Sequence, residues 1–371
     1  SPIYPSPLAD LGYDVADYTG VDPVYGSLER FDRLLAAAHE RGLKLLMDLV
    51  PCHTSIEHAW FREHPDWYIW SGREGPANNW RASFGGIAWS PDPYERGRGW
   101  YLHSFYPEQP DLDWRNPEVV AAMQGVIRFW LDRGADGFRL DALDRLVKDA
   151  DLRDDPPASA PFALPLDEEY ARLDHLYSTN SPDITAALAA IREAAGDALL
   201  VGEVYLPAAD VTPYLDYLDL AFAFELFHAP FERDRLDAAI DAAVALGTGT
   251  AWVLSNHDFP RVATRWGREH VREAAELLLT LPGTAFVYQG EEIGMADGPG
   301  ATPPIDRAGR DGARHPMQWD AGGGFTSGTP WLPMVDPVER NVADQRDDPD
   351  SLLNLYRELI ADRRRPDPTV D

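Results

Sequence analysis

Lysine is almost missing from this chain. Only Lys44 and Lys148 occur in 371 residues, so arginine carries nearly all the positive charge. Against 33 basic residues stand 62 acidic ones, a formal net charge of −29. A chain this acidic repels nucleic acid and anionic lipid, which excludes a binder working through a basic patch and leaves solubility as the use of the surplus charge. Cysteine is nearly missing too: Cys52 alone excludes an intrachain disulfide and a cysteine-based zinc site, and it fits a reducing compartment such as the cytoplasm. No apolar run reaches the roughly 18 residues of a membrane span. The sequence starts at Ser1 without a signal-like segment, in what reads as the end of a strand, "SPIYPSP", so any targeting signal is expected upstream.

What the chain has is hydrophobic content of 44%, enough for a large α/β core. Helix and strand patterns alternate along it. Ser27 is placed to cap a helix through Arg41, stopped by Gly42, and Leu43–Val50 follows as a continuous apolar strand of the kind buried on both faces of a parallel sheet. Asn116 and Pro117 open the next helix, which Gly134 ends. Strands are then expected at Gly137–Asp141, Leu199–Glu203, Leu220–Phe224, Ala251–Ser255 and Ala285–Tyr288. Helices are expected at Asp183–Ala195, Asp234–Leu246, Glu269–Leu281 and Ser351–Arg363. Six strands in this βα series predict a (β/α)8 TIM barrel, residues 1–52 and 116–371, lacking its first strands. An aromatic, Gly- and Pro-rich insertion, residues 53–115, interrupts it as a subdomain; a loop that long in a barrel is usually functional. Residues 151–182 read as an irregular surface loop.

Barrel chemistry sits at the carboxyl ends of the strands. His53, Arg139 with Asp141, Glu203, and His257 with Asp258 fall at four such ends. Alternation along a strand puts Arg139 and Asp141 on one face, with Phe138 and Leu140 on the other. A guanidinium beside Asp141 lowers the pKa of that carboxyl and suits it as a nucleophile. Glu203, among the apolar neighbours of "VGEVYL", is expected to keep a proton and act as an acid. Two carboxyl groups in those roles are the mark of retaining glycoside hydrolysis, at about 5 Å separation. Taken singly, each residue also has a structural reading, as ion pair, cap or core histidine.

The motifs "DLVPCHTS" (48–55), "GFRLDALD" (137–144), "GEVYL" (202–206) and "LSNHDFPR" (254–261) resemble those of glycoside hydrolase family 13, the α-amylase superfamily. So do "LADLGYDVADY" (8–18), "QPDLDW" (109–114), "LPGTAFVYQGEEIGM" (281–295) and "GRDGARHPMQW" (309–319). The resemblance runs over essentially the whole chain and is nearest the α-glucosidase and oligo-1,6-glucosidase branch. It implies Asp141 as nucleophile, Glu203 as general acid/base and Asp258 as the third carboxylate, holding sugar hydroxyls. It implies Arg139 beside the nucleophile, His53 and His257 on hydroxyls of the cleaved glucose, and Asp10 with Tyr13 closing its non-reducing end. Arg314 is the first choice, and Arg310 the second, for the arginine that meets Asp10 and the terminal sugar. Phe84 and Phe105 are substrate-contact candidates with a core alternative, and Trp70, Trp80 and Trp89 could stack on sugars or fill the insertion's core.

Three departures carry weight. Cys52 replaces the asparagine usual before the first histidine, which argues against the amylase-type calcium site, so no cofactor or metal is expected outside the missing N-terminal part. Ala142 follows the nucleophile, where the resemblance associates valine with α-1,6 and threonine or alanine with α-1,4 linkages. The family's β-sandwich tail is not recognised. The implied function is a retaining exo-α-glucosidase, EC 3.2.1.20 in type, acting on short oligosaccharides, with no nucleic-acid or membrane partner and an open oligomeric state. Two alternatives stand beside it: a transglycosylating relative of the trehalose synthase, sucrose isomerase or amylosucrase type, and a non-catalytic carbohydrate-binding or transporter-associated ectodomain.

Overall fold

The computed structural model describes residues 2–159 and 168–365; the rest of the expected 151–182 loop and the last six residues lie outside the described range. The chain divides into two compact units, Ser1–Leu206 with Asp210–Ala221, and Pro207–Ala209 with Phe222–Asp371. Residues 53–115, expected as a subdomain, lie within the first unit.

In the first unit β1 (Leu46–Leu49) is followed by a small antiparallel hairpin, β2 (Trp89–Pro91) with β3 (Trp100–Leu102), inside the insertion. Strand β4 (Gly137–Leu140) then pairs in parallel with β1 on one side and with β5 (Leu199–Gly202) on the other. The start of β6 (Leu220–Ala223) pairs with β5. Every expected strand is shorter than its apolar run predicted. Gly137 is required where β4 begins: its φ is +157°, and a Cβ there would run into the backbone of Leu199.

The helix Pro117–Asp132 shows why these elements form where they do. The Asn116 side chain accepts from the Glu118 amide, and proline sits at the first turn. Val119, Met123, Val126, Ile127 and Trp130 then recur on one buried face. Ser27, by contrast, stands at the start of Leu28–His39 without making the side-chain cap expected of it. Trp80 and Trp89, each 1% exposed, form the insertion's core with Ala88 and Leu102. Core filling is therefore their role, and stacking on a ligand is not.

In the second unit β7 (Thr250–Val253) pairs in parallel with β8 (Thr284–Phe286). Helices Arg233–Val244, Val271–Thr280 and Leu352–Arg363 accompany them. Trp252, Leu254, Leu278, Ala243 and Leu226 form the core of this unit. The helix expected from Glu269 starts as a 3-10 turn, Arg268–His270, before Val271. Among the described residues no helix is long and apolar enough to cross a membrane.

Candidate active site

Strand register assembles the candidate residues of the first unit. Asp48 on β1 is the direct partner of Arg139 on β4, so both side chains leave the same face of the sheet. Arg139 Nη1 donates to Asp48 Oδ1 at 2.8 Å and to Asp141 Oδ1 at 2.6 Å; its Nη2 pairs with Glu203 Oε1 at 2.7 Å. One guanidinium thus holds three carboxylates, and Asp141 and Glu203 both turn toward it. The Tyr13 hydroxyl donates to Asp48 Oδ2 at 2.9 Å, and its ring lies 5.7 Å from the guanidinium carbon. This answers why a strand carries Arg139 and Asp141 one step apart: the arginine is the hub on which acids from three strand ends are gathered.

The turn after Asp141 adds a second tie. Ala142 adopts φ 47°, ψ 47°, the left-handed region, and its amide donates to Glu203 Oε2 at 3.2 Å. Tyr205 donates to Glu203 Oε1 at 3.4 Å. The expectation of an apolar seat for Glu203 is therefore corrected: Glu203 is buried, but its oxygens are met by a guanidinium, an amide and a phenol. The expected direction for Asp141 is corrected as well. Burial pushes its carboxyl well above the usual range; Arg139 pulls it back, and the negative charges of Glu203 and Asp48 push it up again. Three buried acids facing one cation favour retention of a proton within the cluster.

The insertion supplies the neighbouring wall. His53 is 1% exposed, and burial pushes its pKa down to about 4, so the ring is neutral near pH 7. The His53 Nε2 lies 3.1 Å from the Tyr13 carbonyl and 2.9 Å from Gln109 Nε2, while Nδ1 has no hydrogen-bond partner among the described residues. Gln109 Nε2 also donates to Asp10 Oδ2 at 3.0 Å, and the Asp10 amide donates to Asp14 Oδ1 at 3.0 Å. Phe105 meets His53 edge-on with centroids 5.2 Å apart, and Phe84 packs on Phe105 at 5.5 Å. Both phenylalanines are half-buried. Trp70 is packed parallel to Phe61, with Arg96 over its ring.

Cys52, His53 and Asp111 bring three potential ligand atoms within 4.8 Å of one another. This set does not suit calcium, which takes six to eight oxygen ligands. Burial pushes the Cys52 thiol up to about 12, and the Lys148 ammonium already pairs with Asp111 at 2.5 Å while donating to the Arg145 carbonyl. One of the chain's two lysines thus puts a positive charge where a cation would sit.

In the second unit, Asp258 follows β7 and is held by its own neighbours. Arg310 Nη1 reaches Asp258 Oδ1 at 2.8 Å and Arg314 Nη2 reaches it at 3.3 Å. Arg314 Nε donates to the His257 carbonyl at 2.8 Å, and His257 Nε2 lies 3.4 Å from Asp258 Oδ2. Arg310 is fixed in turn by Asp306 at 2.8 Å. Both arginines named from sequence therefore meet this carboxylate, the second choice more closely. Sequence reasoning did not single out Asp48, Gln109, Tyr205 or Asp306. Asp48 and Gln109 lie inside quoted motifs, which was the available signal; Asp306 sits in an irregular stretch that offers none.

Residues 1–370 match the family model described as "Alpha amylase, catalytic domain". It is 39% identical to a Rhizobium meliloti (strain 1021) protein named "Probable alpha-glucosidase", over 98% of this chain and 74% of that protein. It is 34% identical to an oligo-1,6-glucosidase of Heyndrickxia coagulans, over 100% of this chain and 78% of that protein. The solved structure of the alpha-glucosyl transfer enzyme XgtA superposes with a TM-score of 0.91 at 36% identity, covering 98% of this chain and 76% of that one.

Proposed function

The chain belongs to the α-amylase catalytic-domain family, in its α-glucosidase branch and with its TIM-barrel fold, and from that premise we propose a retaining exo-α-glucosidase that cleaves terminal α-linked glucose from short oligosaccharides. The observation that carries the proposal is the Arg139 hub, with Asp141 and Glu203 on its two terminal nitrogens.

In the first step Asp141 attacks the anomeric carbon while Glu203 gives its proton to the departing glycosidic oxygen. The carbon–oxygen bond to the leaving sugar breaks as the bond to Asp141 forms. Glu203, now a carboxylate, takes a proton from water, whose oxygen attacks the same carbon and releases Asp141. Two inversions give net retention. Arg139 orients both groups and offsets their charge. Asp10, Tyr13 and His53 bind the terminal glucose, with Phe105 beside His53. Asp258, steadied by Arg310 and Arg314, holds hydroxyls, as does His257. A closed non-reducing end makes the action exo.

The α-1,4 preference rests on Ala142. No metal enters the scheme, since Lys148 already neutralises Asp111, so prolonged chelation by EDTA is expected to leave activity unchanged. A cytoplasmic address fits the single buried thiol and is tested by fractionating the source cells. Hydrolysis itself is tested by product analysis on maltose, isomaltose and sucrose. Glucose accumulating from maltose is the expected result; longer or isomerised sugars as main products would make transfer the reaction. No nitrophenol released from p-nitrophenyl α-glucoside would reduce the protein to a binding module.

A further inference from the structure

Gln109 is fully buried, and both ends of its amide are engaged. Its Oε1 accepts from the Tyr106 amide at 3.0 Å, and its Nε2 donates to Asp10 Oδ2 at 3.0 Å while standing 2.9 Å from His53 Nε2. Those bonds fix which way the amide points, because a flip would turn its oxygen toward the Asp10 carboxylate and its hydrogens toward an N–H. One nitrogen from the insertion therefore touches two groups that bind the terminal glucose in the proposed scheme, and they lie 43 residues apart in the chain, at Asp10 and His53.

The His53 ring shows that this link is under tension. Its Nε2 is contested between a donor, the Gln109 amide, and an acceptor, the Tyr13 carbonyl at 3.1 Å. A neutral imidazole nitrogen cannot satisfy both.

We propose that Gln109 is a positioning residue: its amide clamps the Asp10 carboxylate and the His53 imidazole in the spacing that fits the hydroxyls of one terminal glucose, and so sets ground-state sugar binding. The proposal rests on the glucosidase reading above. It differs from the roles implied for the motif residues, since Gln109 acts through Asp10 and His53 and not on the reacting atoms.

The test compares two near-isosteric variants, Gln109→Glu and Gln109→Met, in the complete protein. Glutamate keeps the shape and still accepts from Tyr106, but sets a carboxylate against Asp10; methionine fills the space without donating. Loss of a charge-assisted hydrogen bond at this position predicts a rise in KM of roughly tenfold or more with p-nitrophenyl α-glucoside, with kcat changed much less. In an Asp141→Asn background, maltose binding by calorimetry weakens by the same factor in both variants. A purely structural glutamine would lower the melting temperature and leave KM and maltose affinity at wild-type values; that result overturns the proposal. A wild-type protein that binds maltose without cleaving any α-glucoside would sink the enzymatic reading alone, and the calorimetric comparison would still decide the role of Gln109.

Discussion

Arg139 meets Asp48, Asp141 and Glu203 with a single positive charge, and the consequences are specific. Replacing it by methionine leaves three buried acids without that counter-charge. The Asp141 carboxyl, already pushed up by burial, then rises further, so its ionised fraction at neutral pH shrinks. The acid limb of the kcat/KM profile is expected to move to higher pH, and stability to fall by about 3–5 kcal/mol in urea titrations. An unmoved acid limb would remove Arg139 from the account. Asp141→Asn should fold normally and lose turnover by on the order of 10⁴-fold or more. At this scale the sequence was informative about chemical types and less so about environment. The alternation of Arg139 and Asp141 could be read directly. That Asp48 is the cross-strand partner of Arg139 depends on register, and that burial outweighs the guanidinium at Asp141 depends on three dimensions. Gln109 escaped because an amide inside a motif carries no charge to draw attention to it.

Elements supply the precision. The β4 strand ends at Leu140, Asp141 follows, and Ala142 turns the backbone into the left-handed region so that its amide reaches Glu203. A β-branched side chain is disfavoured in that conformation more than alanine is. Ala142→Val is therefore expected to cost about 1–2 kcal/mol of stability and to lower kcat by disturbing Glu203, whereas Ala142→Gly should keep or raise stability. Equal unfolding midpoints for both variants would contradict the strain argument. Asn116→Ala should cost about 1 kcal/mol through the lost cap. The order of the main strands and helices was legible because apolar periodicity survives in them, whereas the β2–β3 hairpin and the short helices within loops were not foreseen. Boundaries were less so: Leu43–Val50 shrinks to Leu46–Leu49, and Ser27 meets its helix through its carbonyl and not through a capping side chain. Propensity names a cap; only the side-chain rotamer decides whether it forms.

On the scale of the molecule, the buried titratable groups set how stability follows pH. Burial pushes His53 and His58 down to about 4 and His228 to about 3, whereas unfolded histidines take up protons near 6.5. The unfolded chain binds more protons in that window, so these groups contribute stability that is lost as pH falls from about 6.5 toward 4. Glu291 acts in the opposite sense. Burial raises it from 4.5 to about 7, so its favourable contribution is present below 4.5 and is lost as pH rises through 7. Glu291→Gln should therefore be more stable relative to the wild type at pH 8 than at pH 5, as read from urea midpoints; an equal difference at both would refute that assignment. The fold class and the family motifs were legible along the whole chain, while its division into two compact units was not, because it falls inside a strand, β6, and leaves no mark in composition. Above all, the molecule should turn over with retained stereochemistry. Proton NMR of p-nitrophenyl α-glucoside hydrolysis, recorded before mutarotation, should show α-glucose as the first sugar formed. β-Glucose appearing first would mean a single displacement by water and would contradict Asp141 as nucleophile.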